Sequence, residues 1–192
     1  MKLLALRCPN CDRPLTPDNH HVVTLCEQCA TAVHIGDEGL TRLTIQCAAP
    51  ATGATVTHWQ PFWLFQGQVN ILRREVQSGN SEKDSRRLWG QPRTLYVPAW
   101  ELLMVTAQNI GSAMIQQQPV YQPIPQPAEF QLTPVTVTAD DALKLLEFIV
   151  LAIETRRKDW LKNLEFRLDV GRPELWALPA NDRGVVALEG NR

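Results

Sequence analysis

Hydrophobic and polar positions in the first half of the chain alternate with a period of two. Between Leu40 and Ala49, Leu43, Ile45 and Cys47 fall on one side and Arg42, Thr44 and Gln46 on the other, which predicts a half-buried strand ended by Pro50 to Gly53. The next stretch, 55–72, is dense in aromatics. Read as a strand, it places Trp59, Pro61, Trp63, Phe65, Gly67 and Val69 on one face and His58, Gln60, Phe62, Leu64, Gln66 and Gln68 on the other. Pro61 has no donor for a ladder, so it predicts an edge, a bulge or a strand start. Two expectations compete here: Trp59, Trp63 and Phe65 are core, or they form an exposed platform for a ligand or partner. Residues 73–90 are polar and predict an exposed hairpin or flexible loop, with Arg73, Arg74, Arg86 and Arg87 flanking it as a possible basic patch.

A strand is expected over Thr94 to Pro98, followed by a helix over Ala99 to Ile110 with Pro98 at its start and Gly111 just beyond. The segments 59–63 and 96–100, Trp-Gln-Pro-Phe-Trp and Tyr-Val-Pro-Ala-Trp, echo one another and suggest paired strands entering similar bends. Five prolines between Gln116 and Pro134 exclude regular helix and predict an extended path, either a linker between subdomains or an arm laid across the body, with Val120, Tyr121, Ile124 and Phe130 spaced for partial docking. A second helix is expected from about 139 to 158, with room to extend through Leu164. Thr138 is its cap, Asp140 and Asp141 lie in its first turn, and Arg156, Arg157 and Lys158 lie at its end. Strands are then expected over Glu165 to Val170, Pro173 to Leu178 and Gly184 to Leu188. The fold class is α+β: an N-terminal cysteine module at 1–36, a β-rich subdomain with one helix at 40–115, the arm at 116–134, and a helix with short strands at 135–192 packed on the same body.

Composition narrows the function. Nineteen Lys and Arg against 20 Asp and Glu give a net charge of -1, without the positive excess usual in a dedicated nucleic-acid binder. The leading run Leu3 to Leu6 ends at Arg7 and Cys8, too short for a signal sequence or a membrane span, so a cytoplasmic protein is expected.

The distinctive chemistry is four cysteines in two pairs, Cys8-Pro-Asn-Cys11 and Cys26-Glu-Gln-Cys29, with 14 residues between Cys11 and Cys26. Two residues between cysteines allow a tight turn that aims both sulfurs at one ion. Two such turns supply the four ligands of a closed structural zinc site, read here ahead of disulfides, a redox pair or an iron–sulfur cluster. Leu3 to Leu6 can run as a strand into the first turn, His21 to Leu25 into the second, and Ala32 to Ile35 out of it. His20, His21 and His34 lie near but are not needed as ligands, and Cys47 reads as a buried, inert thiol.

Residues 1–36, with LRCPNCDRPLTPDN followed by VVTLCEQCATAVHI, resemble the zinc-ribbon family, a resemblance that implies one structural zinc ion and carries no particular function. The strands Pro61 to Gly67 and Tyr96 to Ala99 resemble those of bacterial proteins in which a zinc ribbon precedes a domain with PFW.F.G and YVPA segments. That resemblance brings no activity or ligand with it.

No phosphate-binding loop, dinucleotide fingerprint, zinc-protease motif or nucleophile elbow is present, and His58 is the only histidine after the cysteine module. The expectation is therefore a zinc-binding adaptor that works through protein contacts rather than an enzyme. Trp59, Phe62, Trp63, Arg73, Arg74, Arg86, Arg87, Trp100 and Tyr121 are its candidate partner-binding residues. The alternatives are nucleic-acid binding, with the arginines beside an aromatic stacking surface, and a peripheral membrane subunit.

Overall fold

The computed structural model of the chain describes residues 6–182 and 184–185. The expected strand entry at Leu3 to Ala5 and the end of the last expected strand at 186–188 lie outside them. The fold is α+β. A small antiparallel sheet joins β1 (Val23–Leu25), β2 (Ala32–Gly36) and β3 (Gly39–Leu43). The single strand expected over Leu40 to Ala49 divides at Thr44, because β3 folds back on β2 while β4 (Ile45–Ala48) joins a second, larger sheet.

The larger sheet is built around β5 (His58–Ser78). With β6 (Arg93–Pro98), β7 (Pro123–Ile124), β8 (Trp160–Val170), β9 (Glu174–Asn181) and β10 (Gly184–Val185), its order is β6-β5-β9-β4-β7. Here β8 pairs with the far half of β5, and β10 pairs with β9. Strand β4 runs parallel to β9, and the other pairings are antiparallel. Strand β5 reaches 21 residues because two partners follow one another along one side: β9 opposite His58–Leu64 and β8 opposite Gly67–Ser78. Gly67 sits at their junction, where a Cβ would lie 2.2 Å from the Asp169 carbonyl oxygen. Pro61 is accommodated on the other side. Its carbonyl accepts from the Ala99 N–H, so its missing donor faces the β6 side one residue before that pairing begins at Phe62. The two echoed segments are indeed partners, with Phe62 opposite Pro98 and Trp63 opposite Val97.

Both faces of β5 are covered, so its aromatics are core. Trp59, Phe62, Trp63 and Phe65 are all buried. Trp59 packs on Phe130 of the arm with ring centroids 5.7 Å apart, and Phe62 meets Trp100 edge-on at 5.2 Å. The Trp63 indole donates to the Val137 carbonyl at 2.8 Å. The 116–134 segment lies against the sheet: Trp59 exchanges backbone bonds with Gln131 and Thr133, and β7 pairs with β4.

The helices differ more from expectation. There are three among the described residues, not two. The supposed loop at 73–90 is the end of β5 followed by α1 (Glu82–Trp89). Helix α2 (Met104–Gln117) begins five residues later than expected, because Pro98 closes β6 and Ala99 is held extended, its N–H on Pro61 and its carbonyl on Thr136 and Val137. Helix α3 (Ala139–Thr155) starts where its cap predicts, with the Thr138 hydroxyl accepting from the Asp141 N–H. Gly111 lets α2 lie close to α3 and β6, since a Cβ there would sit 2.5 Å from Ile149 Cδ1.

A buried ion cluster ties the far half of β5 to α1 and α3. The register with β8 slips between Ile71 and Arg73, leaving Leu72 as an extra, exposed residue. Ile71 lies opposite Phe166 and Arg74 opposite Leu164, so the slip brings Arg74, rather than Arg73, to the covered side. There the Arg74 guanidinium grips Asp159 with two bonds of 2.7 and 2.9 Å and reaches Glu154 at 2.9 Å. Glu154 also accepts from the Trp89 indole at 2.8 Å and from Arg157 at 2.8 Å, while Asp159 accepts from the Ser81 N–H. Both carboxylates have fully buried side chains. The hydrogen bonds from Arg74 hold Asp159 down to about 2. Burial alone would raise Glu154, but hydrogen bonds from Arg157, Arg74 and Trp89 outweigh it and leave Glu154 below its ordinary value. Both folded-state values lie below the unfolded ones. The cluster's contribution is therefore complete above about pH 5 and is lost as pH falls toward about 2. Melting temperature measured from pH 6 down to pH 2 is expected to fall most steeply in that window, and Asp159→Asn is expected to flatten part of the fall.

Candidate metal centre

Two backbone turns of the same construction build the cysteine cluster. In the first, the Cys8 N–H donates to the Arg13 carbonyl and the Asp12 N–H to the Cys8 carbonyl. In the second, Cys26 and Thr31, then Ala30 and Cys26, make the equivalent bonds. The fourth residue after each leading cysteine, Asp12 and Ala30, has positive φ, at 58° and 53°. This left-handed residue reverses the chain just after the second cysteine and brings Arg13 and Thr31 back beside the leading cysteines. The two turns bring their cysteines together, and Val33 of the small sheet joins Leu15, Cys8 and Cys26 in an apolar cluster separate from the main core.

The four sulfurs of Cys8, Cys11, Cys26 and Cys29 all lie within 4.8 Å of one another, and this is a possible metal site. Cys8 and Cys29 are 3.7 Å apart and Cys11 and Cys26 3.6 Å apart. A tetrahedron with metal–sulfur arms of about 2.3 Å has edges of about 3.8 Å, so the donor set fits a four-coordinate ion with sulfur ligands. No histidine joins the group among the described residues. The environment already favours thiolate at one corner. Hydrogen bonding from Asn10 and Thr31 lowers Cys29 to about 5. At Cys11 a backbone hydrogen bond at Arg13 lowers the thiol, but burial and the other three cysteines outweigh it and push it up to about 12. A cation binding all four sulfurs would displace the remaining protons.

Three neighbours of the site escaped sequence reasoning. The Asn10 N–H donates to Cys8 Sγ at 3.4 Å, the Thr31 hydroxyl lies 3.2 Å from Cys29 Sγ, and Arg42 donates to the Pro9 carbonyl at 2.8 Å. Position could have flagged the first two, each standing two residues after a cysteine. Arg42 comes from β3 and carries no local signal. The module is also joined to the body: the Val22 N–H donates to the Val135 carbonyl, and Val23 and Ala32 belong to the main core. Cys47 lies apart from the cluster, buried beside Trp59 and Ala177, and burial pushes its thiol up to about 11.

The candidate partner residues are scattered rather than gathered. Trp59, Phe62 and Trp63 are in the core, and so offer no stacking platform. Trp100 and Tyr121 are half-buried, against Phe62 and Tyr96 respectively. Arg74 is enclosed in the ion cluster, so the supposed patch of four arginines does not form. Arg73 pairs with Glu75 and Glu165, Arg86 with Glu82, and Arg87 with Asp84. Among the described residues no helix is long and apolar enough to cross a membrane. No family model, curated protein or solved structure matches the chain.

Proposed function

We propose that this protein is a zinc-stabilised adaptor, cytoplasmic and without catalysis, in which a closed four-cysteine zinc ribbon braces an α+β body that binds another protein. Four thiolates suit zinc and leave no coordination position for a substrate. Free thiols are at home in a reducing compartment.

The observation that carries the protein-binding reading is an apolar surface on the helix pair. Leu103, Met104 and Val105, at and just before the start of α2, are 80%, 49% and 62% exposed. Phe148 of α3 is 48% exposed and adjoins α2, its carbonyl accepting from Gln108 at 3.4 Å. Large apolar side chains left exposed on one helix pair in this way mark interaction sites. A nucleic-acid reading based on stacked aromatics loses its support with the burial of Trp59 and Trp63.

The test is cross-linking and affinity recovery with wild type and Val105→Glu/Phe148→Glu, both positions being exposed enough to tolerate charge. Near-equimolar recovery of one protein by wild type, and its loss from a variant with unchanged melting, is the expected result. Equal recovery by both forms, or a wild type that remains a partnerless monomer, would overturn the reading. Flotation of wild type with liposomes, abolished by the variant, would replace it with a lipid-surface role.

A further inference from the structure

The cations of the chain are not evenly spread. An open cleft of about 790 Å³ lies where four elements converge: one side of α1, the start of β6, and the ends of α2 and α3. Arg87, Arg93, Arg156, Arg157 and Lys158 line it, with Asp84 as the only carboxylate. The protein as a whole carries a net charge of -1, so this concentration runs against its overall balance.

Helix termini explain part of this. Cations after α3 complement the negative end of its dipole. They do not explain Arg93, which comes from a strand. Its guanidinium lies over the Trp89 ring at 5.9 Å and donates from Nη1 to the Ile115 carbonyl, yet its Nε is buried and has no hydrogen-bond partner. A buried N–H left unpaired carries a penalty of about 1–3 kcal/mol, and each such group calls for an explanation. Burial also lowers the pKa of Arg93, with no carboxylate at hand to offset it. Arg87 is matched to Asp84 at 3.3 Å and Arg157 to the buried Glu154, whereas Arg156 and Lys158 are exposed and make no ion pair among the described residues.

We infer that this cleft is a binding site for a ligand bearing two or more phosphoryl groups, whether a free polyphosphate compound or the backbone of a nucleic-acid strand. One carboxylate would be satisfied by one arginine fork, so the surplus of cations suits a multiply charged anion. Guanidinium groups match phosphate geometry. The volume lies within the range of small-molecule sites. No aromatic side chain lines the cleft, so the phosphates are read and the bases are not. This site lies at the opposite end of α2 from Leu103, Met104 and Val105, and does not depend on the proposed adaptor role.

The experiment is calorimetric titration at low salt of the full chain with inorganic tripolyphosphate, ATP, an oligothymidylate and an acidic peptide. The variants are Arg156→Gln/Lys158→Gln and, as a control of equal charge outside the cleft, Lys162→Gln/Arg172→Gln. At least one phosphate probe is expected to bind wild type. The cleft variant should weaken that binding roughly ten-fold and reduce the salt slope by about two, with unchanged melting. The control should not. Comparable binding of tripolyphosphate and ATP identifies a free-phosphate site. Binding of the oligothymidylate alone identifies a nucleic-acid backbone. Absence of binding by every phosphate probe, equal losses in both variants, or equally tight binding of the acidic peptide would overturn the inference.

Discussion

Arg74→Ala is expected to destabilise the protein by about 3–5 kcal/mol, the range for removing one partner from a buried ion pair. The substitution would leave Asp159 without its two-pronged partner and Glu154 with fewer donors, both with side chains shut off from water. Domains of ordinary stability have only about 5–15 kcal/mol in total, so much of the population would unfold on mild warming. Urea unfolding of wild type and variant measures the difference. The combination Arg74→Met, Glu154→Gln and Asp159→Asn should recover part of the loss, because the stranded charges leave together. A loss below about 1 kcal/mol for Arg74→Ala would mean that water reaches the cluster.

Cys26→Ser should reduce bound metal from one ion per chain to almost none and release the small sheet. Cys26 is 1% exposed and shares its apolar cluster with Val33 and Leu15, so the ligand and the packing fail together. Structural zinc contributes on the order of 10–16 kcal/mol in isolated zinc-finger peptides, far more than this small cluster supplies. Metal analysis combined with hydrogen exchange separates the two parts. Protection should collapse across 23–43 and persist in β5 between Trp59 and Phe65, whose core belongs to the body. Cys47→Ser should leave the metal content unchanged. Full metal retention and unaltered protection in Cys26→Ser would contradict a four-sulfur site.

What could be read in advance was what local chemistry determines. The cysteine pairs declare their cluster because each pair closes within a few residues. Helix α3 declares its start through Thr138 and Asp141, and the second half of β8 declares itself through the alternation of Phe166, Leu168 and Val170, whereas Trp160 to Leu164, expected as a continuation of the helix, form the first half of that strand. The signals of α1 were present but outvoted by polarity: Glu82 and Arg86 pair one turn apart, as do Asp84 and Arg87. Only Trp89 and Ser85 of that helix are buried. The delay of α2 was not legible, because the bonds that keep Ala99 extended come from Pro61 and from Thr136 and Val137, just beyond the arm. The same is true of Arg74, whose partners lie 80 and 85 residues along the chain. The charge in the cleft was hidden for a similar reason. Arg93 and Arg156 to Lys158 occupy separate stretches, and only packing brings them together.

The extra residue at Leu72 makes β5 tolerant of a change that most strands would not accept. Its side chain is 67% exposed, so many residues could stand there at little penalty. Removing it altogether would leave Ile71 opposite Phe166, Arg73 opposite Glu165 and Arg74 opposite Leu164, so the enclosed guanidinium would keep its face and only the bulge would go. A pairing that kept Leu72 but lost the slip would instead turn Arg73 inward and Arg74 toward solvent. Across divergent versions of this sequence, residue 72 should therefore drift freely in identity, or be lost, while Arg74 and its two carboxylates stay together.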